Sequence, residues 1–222
     1  MKVVIKAVIF DFDGVLVESV DIKTNAFALL FKPEGKDVVR KVVGYHLKHG
    51  GISRFEKFIY IYKAILKRRL ADETFRRLCG RFAKLVVDEV VKAPYVKGAK
   101  YFLDSHSGDY KYFVSSATPQ AEIEEIIKKR KMARYFHGVY GAPKDKRDIV
   151  KAILADHHLE PRDCVYIGDA MSDYEAAVDN GVNFIAKVAN GIRPFDAIRC
   201  PKVKDLVGLK ETLTKLENGR YR

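Results

Sequence analysis

The feature that most constrains the fold is an apolar, largely β-branched run that stops on two carboxylates. Val3, Val4, Ile5, Ala7, Val8, Ile9 and Phe10 read as a buried strand, and the chain then gives Asp11, Phe12, Asp13 and Gly14. Aspartate is a poor strand residue and is costly to bury without a partner. Two of them at the end of a buried strand call for a cation between them, and an oxygen-preferring divalent metal suits that place. A plain strand end followed by an Asp-Gly turn gives the same local pattern, so the rest of the chain has to decide.

Downstream of Leu16 the periodicity changes. Between Glu18 and Val91 there is no strand pattern. Ile22, Ala26, Leu29 and Leu30 share one face of a helix over 22–31. Phe55, Phe58, Ile59, Tyr62, Ile65 and Leu66 do so over 54–69, and Phe75, Leu78, Phe82, Leu85, Val86 and Val90 over 73–91. Residues 17–93 therefore read as an all-helical insert of three or four helices, closed by Pro94 and Gly98. From Ala99 the chain alternates. A short helix around Tyr101, Phe102 and Leu103 precedes strands over 110–115, 136–140, 163–168 and 182–186. Helices are expected over 119–130, 145–156 and 172–180, then a last strand near Val203 and a helix over 205–216. Strand–helix alternation implies an α/β fold with a doubly wound parallel sheet, built from residues 1–16 and 94–222. Ligands of such sheets bind at the carboxyl ends of the strands, where Asp11 and Asp13 stand.

The net charge is +12, and residues 17–93 alone hold 17 Lys and Arg against 9 Asp and Glu, so most of the excess lies in the helical insert. A basic balance of this size suits anionic partners such as phosphorylated metabolites, nucleic acid or a membrane surface. With 48% hydrophobic residues and no low-complexity tract, the chain has the material for a packed core. No apolar run approaches the roughly 20 residues of a membrane helix, and the first strand lacks a signal-peptide pattern, so a cytoplasmic protein is expected. Cys79, Cys164 and Cys200 show neither metal spacing nor a disulfide framework.

Further polar groups stand at expected strand ends. The strand through Val114 runs into Ser115 and Ser116, with Thr118 placed to cap the next helix and Pro119 at its first position. The strand through Ile167 runs into Gly168 and Asp169. Ser172 to Glu175 has the spacing of a capping box, which sets Asp173 in a first helical turn. Between them the loop 141–146 carries Lys144 and Lys146. Each has an ordinary reading alone, as strand-end polarity, loop charge or helix-terminal acid. Together, in this order, they resemble the four motifs of the haloacid dehalogenase superfamily of phosphatases. Asp11-Phe12-Asp13-Gly14 is similar to the first motif, Ser115 to the second, a lysine of 141–146 to the third, and Gly168-Asp169 with Asp173 to the fourth. The insert resembles the helical cap of the subgroup that includes phosphoglycolate phosphatase and β-phosphoglucomutase relatives.

The resemblance implies Asp11 as nucleophile, giving an aspartyl-phosphate, and Asp13 as general acid and base. Neighbouring carboxylates are expected to raise the proton affinity of one member of the cluster and let Asp13 be protonated. It implies Mg²⁺ held by Asp11, Asp169, the backbone carbonyl of Asp13 and, directly or through water, Asp173. Ser115, with Ser116 beside it, and a lysine would hold the phosphoryl group. The family pattern has proline after that lysine, whereas here Pro143 comes before. Lys146 is preferred and Lys144 is the alternative. An acid at Asp13 favours phosphate over halide chemistry, and Gly168 favours a phosphatase over a mutase, while Val15 also occurs in phosphomutases. Cap motion with hinges near 16–19 and 91–94 is a further implication.

Within the insert, Gly50 and Gly51 form a turn, and Ser53 with Glu56 makes a capping box that starts a helix. Its N-terminus lies beside His46, Lys48, His49, Arg54 and Lys57. Arg54, His46 and Lys48 are the candidates for touching the substrate away from its phosphate, with solvated surface charge as the alternative. The expected reaction is Mg²⁺-dependent hydrolysis of a small phosphate monoester, a sugar phosphate or a phosphoglycolate-like compound. A phosphomutase is the alternative within the superfamily. A nucleic-acid-binding protein using Lys67, Arg68, Arg69, Arg76 and Arg77 is the alternative from another class, but no aromatic platform accompanies those runs, and neither nucleic acid nor membrane is an expected partner.

Overall fold

The computed structural model describes residues 4–188 and 194–219. Among them, β1 (Ala7–Phe10), β2 (Lys111–Pro119), β3 (Phe136–Ala142), β4 (Cys164–Gly168), β5 (Asn183–Lys187) and β6 (Lys202–Val203) form one parallel sheet in the order β3-β2-β1-β4-β5-β6. The chain winds outward from β1 to β3, then returns to the other side of β1 for β4. The order thus reverses beside β1, and the crevice of a doubly wound sheet opens at such a reversal. Phe10 pairs with Val114 on one side and Ile167 on the other, so the residues just after β1 and β4 emerge next to each other.

β1 is shorter than its apolar run. Val4 is exposed and pairing begins at Ala7, while Val3 lies outside the described residues. The strand alternation divides the core: Val8 and Phe10 pack on one face, Ala7 and Ile9 on the other. The second face is covered by α7 (Lys146–Asp156) and α8 (Met171–Asp179) through Ile149, Ile153, Ala176 and Ala177. The first face takes α5 (Ala99–Ser105), α6 (Gln120–Lys129) and α9 (Leu209–Glu217).

Between β1 and β2 the chain is helical, as the sequence implies: α1 (Val20–Phe31), α2 (Lys36–Lys48), α3 (Arg54–Tyr60) and α4 (Asp72–Lys92). Phe27 of α1 packs on Phe58 of α3 and Phe82 of α4 at 5.6 and 4.8 Å between ring centres. These helices form a cap over the carboxyl end of the sheet. Both chain crossings between sheet and cap run side by side. Glu18 N–H donates to Pro94 O at 3.0 Å, and Val96 N–H to Leu16 O at 3.0 Å.

Three local expectations are corrected. The helix expected over 54–69 changes character: α3 passes into a π-helical turn, Ile61–Ile65, and stops at Leu66, with Lys67 in the left-handed region at φ 55°. The amide of Arg68 closes this end on Tyr62 O at 2.9 Å. Thr118 does not cap α6. Pro119 is the cap, and β2 continues to it through a register irregularity between Ser115 and Pro119 that turns Thr118 toward Asp13. No capping box forms at Ser172: α8 has Ala170 at its N-cap, which offers no side-chain acceptor, and only the return bond is made, with Asp173 accepting the Ala170 N–H at 3.0 Å. Helix α2 had no clear signal because only Val42 and His46 on it are buried.

Candidate active site

Asp11, Asp169 and Asp173 come together at the carboxyl ends of β1 and β4, with one carboxylate oxygen from each within 4.8 Å of the others. Register brings them there: the Asp11 amide donates to Ile167 O at 2.9 Å, one residue before Gly168. Gly14 makes the close turn after Asp13 at φ 80°, and a Cβ there would stand 2.3 Å from Asp169 Oδ2. The Lys146 ammonium, at the first turn of α7, lies 3.1 Å from Asp11 Oδ1 and 2.6 Å from Asp173 Oδ1. Asp173 is further held by the Tyr166 hydroxyl at 2.9 Å. Its two oxygens thus serve Lys146, Tyr166 and Ala170 N, which orients it beside the other two acids.

Burial, reinforced by Asp173 and Asp13 and only partly offset by Lys146, pushes the Asp11 carboxyl up to about 7. Burial and the charges of Asp11 and Asp173 push Asp169 well above the usual carboxylate range. Burial alone would discharge Lys146, but Asp11 and Asp173 hold it charged. Three close carboxylates, two of them reluctant to ionise, make a donor set that fits an oxygen-preferring dication.

Asp13 behaves differently, and this corrects the expectation that acidic neighbours raise it. Its carboxylate stands apart from the triad and accepts from Ser19 Oγ at 2.6 Å, Thr118 Oγ1 at 3.1 Å and the Lys23 ammonium. Burial would raise it, but Lys23 and these hydrogen bonds hold it below the usual carboxylate range. Lys23 also donates to Thr118 Oγ1 at 2.8 Å. Ser19 and Lys23 were not among the sequence candidates. Their signal was an i, i+4 pair at the start of α1, the first helix after the acids.

The other candidates divide by position. Ser115 is fully buried with its hydroxyl unpartnered among the described residues, and Ser116 Oγ accepts from Thr118 N–H at 3.1 Å. Lys144 is exposed on the loop before α7, outside the cavity that holds Asp11. Lys48 is exposed at the end of α2 and lines an outer cleft between cap and α8. His46 is buried behind the cavity wall, its ring tilted against Phe27 with the centres 4.7 Å apart. Arg54 does line the cavity, but both terminal nitrogens are taken by Glu122 of α6, one at 2.7 Å. That pair joins cap to core, and sequence reading missed Glu122 because nothing local links it to Arg54.

Cap and core enclose a cavity of about 60 Å³ lined by Asp11, Asp13, Lys23, Lys57, Lys146 and Asp169. The roof touches the floor closely: a Cβ on Gly51 would lie 1.9 Å from Ser172 Oγ of α8.

A family model described as haloacid dehalogenase-like hydrolase matches residues 8–187. A phosphorylated carbohydrates phosphatase of Thermotoga maritima is 26% identical, with 96% of this chain and 98% of that protein covered. A β-phosphoglucomutase from Clostridium difficile superposes with a TM-score of 0.77 at 22% identity, over 98% of both chains. A predicted phosphoglycolate phosphatase from Haemophilus somnus gives 0.73 at 15% identity, over 93% of this chain and 97% of that one. At such identities the two structures speak for the fold.

Proposed function

Because this chain belongs to the haloacid dehalogenase-like hydrolase family, we propose that the cavity hydrolyses a small phosphate monoester, a phosphorylated carbohydrate or a related metabolite, through an aspartyl-phosphate. The observation that carries this reading is the cluster of Asp11, Asp169 and Asp173 around the buried Lys146 at the reversal point of the sheet. The phosphatase relative from Thermotoga maritima supports it.

In this reading Asp11 attacks phosphorus, and Asp13, which Lys23 and its hydrogen bonds hold ionised in the free site, takes up a proton on substrate binding and passes it to the leaving ester oxygen. Asp13 then takes a proton from the water that cleaves the aspartyl-phosphate. Ser19 and Thr118 aim the Asp13 carboxyl, and Lys23 stands against it from the cap. Lys146 offers charge-assisted donors to the phosphoryl oxygens and keeps Asp11 turned inward, with the unpartnered Ser115 hydroxyl as a further donor. Asp11 and Asp169, with Asp173 beside them, would hold Mg²⁺, which when bound screens the repulsion between carboxylate and phosphate. The enclosed space falls well short of the roughly 300 Å³ of the smallest ligand sites, so substrate enters by cap opening at the paired crossings near 16–19 and 94–96.

Phosphate release from a panel of monoesters, with Mg²⁺ or with EDTA, tests the reading. Metal-dependent release should fall at least about 1,000-fold in Asp11→Asn, a nucleophile loss. Isomerisation of a sugar phosphate without release would instead make the chain a mutase.

A further inference from the structure

One cation of the cavity has no carboxylate to serve. Lys57 of α3 is 2% exposed, lines the cavity, and among the described residues forms no ion pair. Its neighbours in the cavity are all matched: Lys146 with Asp11 and Asp173, Lys23 with Asp13, Arg54 with Glu122. Lys57 instead donates to His46 Nδ1 at 2.9 Å and to Gly50 O at 3.3 Å, and its ammonium lies 5.7 Å from the centre of the Phe27 ring. His46 supplies no counter-charge, since burial and the adjacent Lys57 and Lys23 depress it to about 3.

An ammonium has three donors. Two are used, which leaves one N–H and the charge for the cavity. Buried ammonium groups are ordinarily paired, because the desolvation of an unpaired one is not recovered. The charged groups acting on Lys57 are Lys23, Asp13, Lys146 and Glu56. Burial, then Lys23, outweigh the acids and lower it to about 7. The helix is fixed at this point by the Ser53–Glu56 capping box, so the ammonium is held in place rather than free to swing into solvent.

We propose that Lys57 is a specificity-determining residue whose remaining donor binds a second oxyanion, on the part of the substrate away from the transferred phosphate. The site then selects phosphate monoesters that carry two acidic groups, the second a carboxylate or another phosphoryl. A neutral hydroxyl fills the hydrogen bond but leaves the charge unmatched. An oxyanion satisfies both. This assignment rests on the phosphate-monoester reading above and names the part of the substrate which that reading leaves open.

Calorimetry on the intact protein with Mg²⁺ and unhydrolysable phosphonates tests it. Propylphosphonate carries one acidic group. 3-Phosphonopropionate adds a carboxylate, and ethane-1,2-diylbisphosphonate adds a second phosphonate. One charge-assisted hydrogen bond makes at least one doubly acidic probe bind about 10- to 100-fold tighter than propylphosphonate. The tighter of the two identifies the second group. The preference should collapse to about unity in Lys57→Met and largely persist in Lys57→Arg. Equal affinities in the wild type, or a preference unchanged in Lys57→Met, overturn the assignment. If Lys57→Met fails to fold, Lys57→Gln takes its place, and equal wild-type affinities overturn the assignment in either case. Phosphate release from monoesters with no such preference would remove this inference and keep the hydrolase. A clear preference without release from any monoester would do the reverse.

Discussion

At the residue scale, the site works by setting apart carboxylates that look alike in sequence. Asp11 and Asp13 are one residue apart, yet burial and other acids push Asp11 to about 7 while Lys23 and two hydroxyls hold Asp13 low. In the unfolded chain a carboxyl titrates near pH 3.9, so between about 4 and 7 the folded, metal-free protein keeps a proton on Asp11 that the unfolded chain has lost. That group makes the metal-free fold less stable as pH rises through this window, and the penalty is complete above 7. A dication relieves it. The rise in Tm on adding Mg²⁺ should therefore be larger at pH 8 than at pH 6, read by calorimetry, and a pH-independent rise would count against the metal site. Removing Lys23 acts in the opposite sense on Asp13. In Lys23→Met the Asp13 carboxyl should titrate at higher pH than in the wild type, followed by side-chain carboxyl NMR, because the carboxylate loses its cation.

At the element scale, α1 and α3 carry the residues that bring the cap onto the site. Arg54 meets Glu122 of α6 through both terminal nitrogens, with side chains only 7% and 18% exposed. A guanidinium left without its carboxylate in such a place costs about 3 kcal/mol or more if it stays buried. Glu122→Ala should relieve this by opening the cap. Amides of α3 should exchange faster than in the wild type while those of β1 and β4 keep their protection, and an unchanged exchange pattern would deny the pair a role in closure. The second crossing has its own fastener. The Arg130 guanidinium donates to Val90 O, Val91 O and Ala93 O at 2.7–2.8 Å and stacks 4.6 Å over Tyr95. It fixes the end of α4 to the core and has to let go before this crossing can bend.

At the scale of the whole molecule, a continuous core joins cap and sheet. Phe27, Phe58 and Phe82 belong to the same buried cluster as Phe10, Phe102 and Leu213. Leu213→Ala on α9 should cost about 2–5 kcal/mol in unfolding free energy, measured in denaturant, because it leaves a cavity against the sheet. Gly51→Leu should leave the unfolding midpoint nearly unchanged yet lower turnover at least about tenfold, since it meets Ser172 only when the cap is closed. The sequence by itself determined the alternation of elements, the helical insert and the acids Asp11, Asp13 and Asp169 at strand ends. Period-2 and period-3.6 patterns and strand-terminal carboxylates are local signals, legible without the fold. Lys146 and Lys144 look alike in sequence, and the fold buries the first beside Asp11 and leaves the second exposed. Tertiary structure alone placed Lys23 on Asp13, Glu122 on Arg54 and, among the described residues, Lys57 without a carboxylate in the cavity. Those relations depend on how the cap helices lie over the sheet. The cap's packing sets which charges share a desolvated space, and no spacing along the chain encodes that.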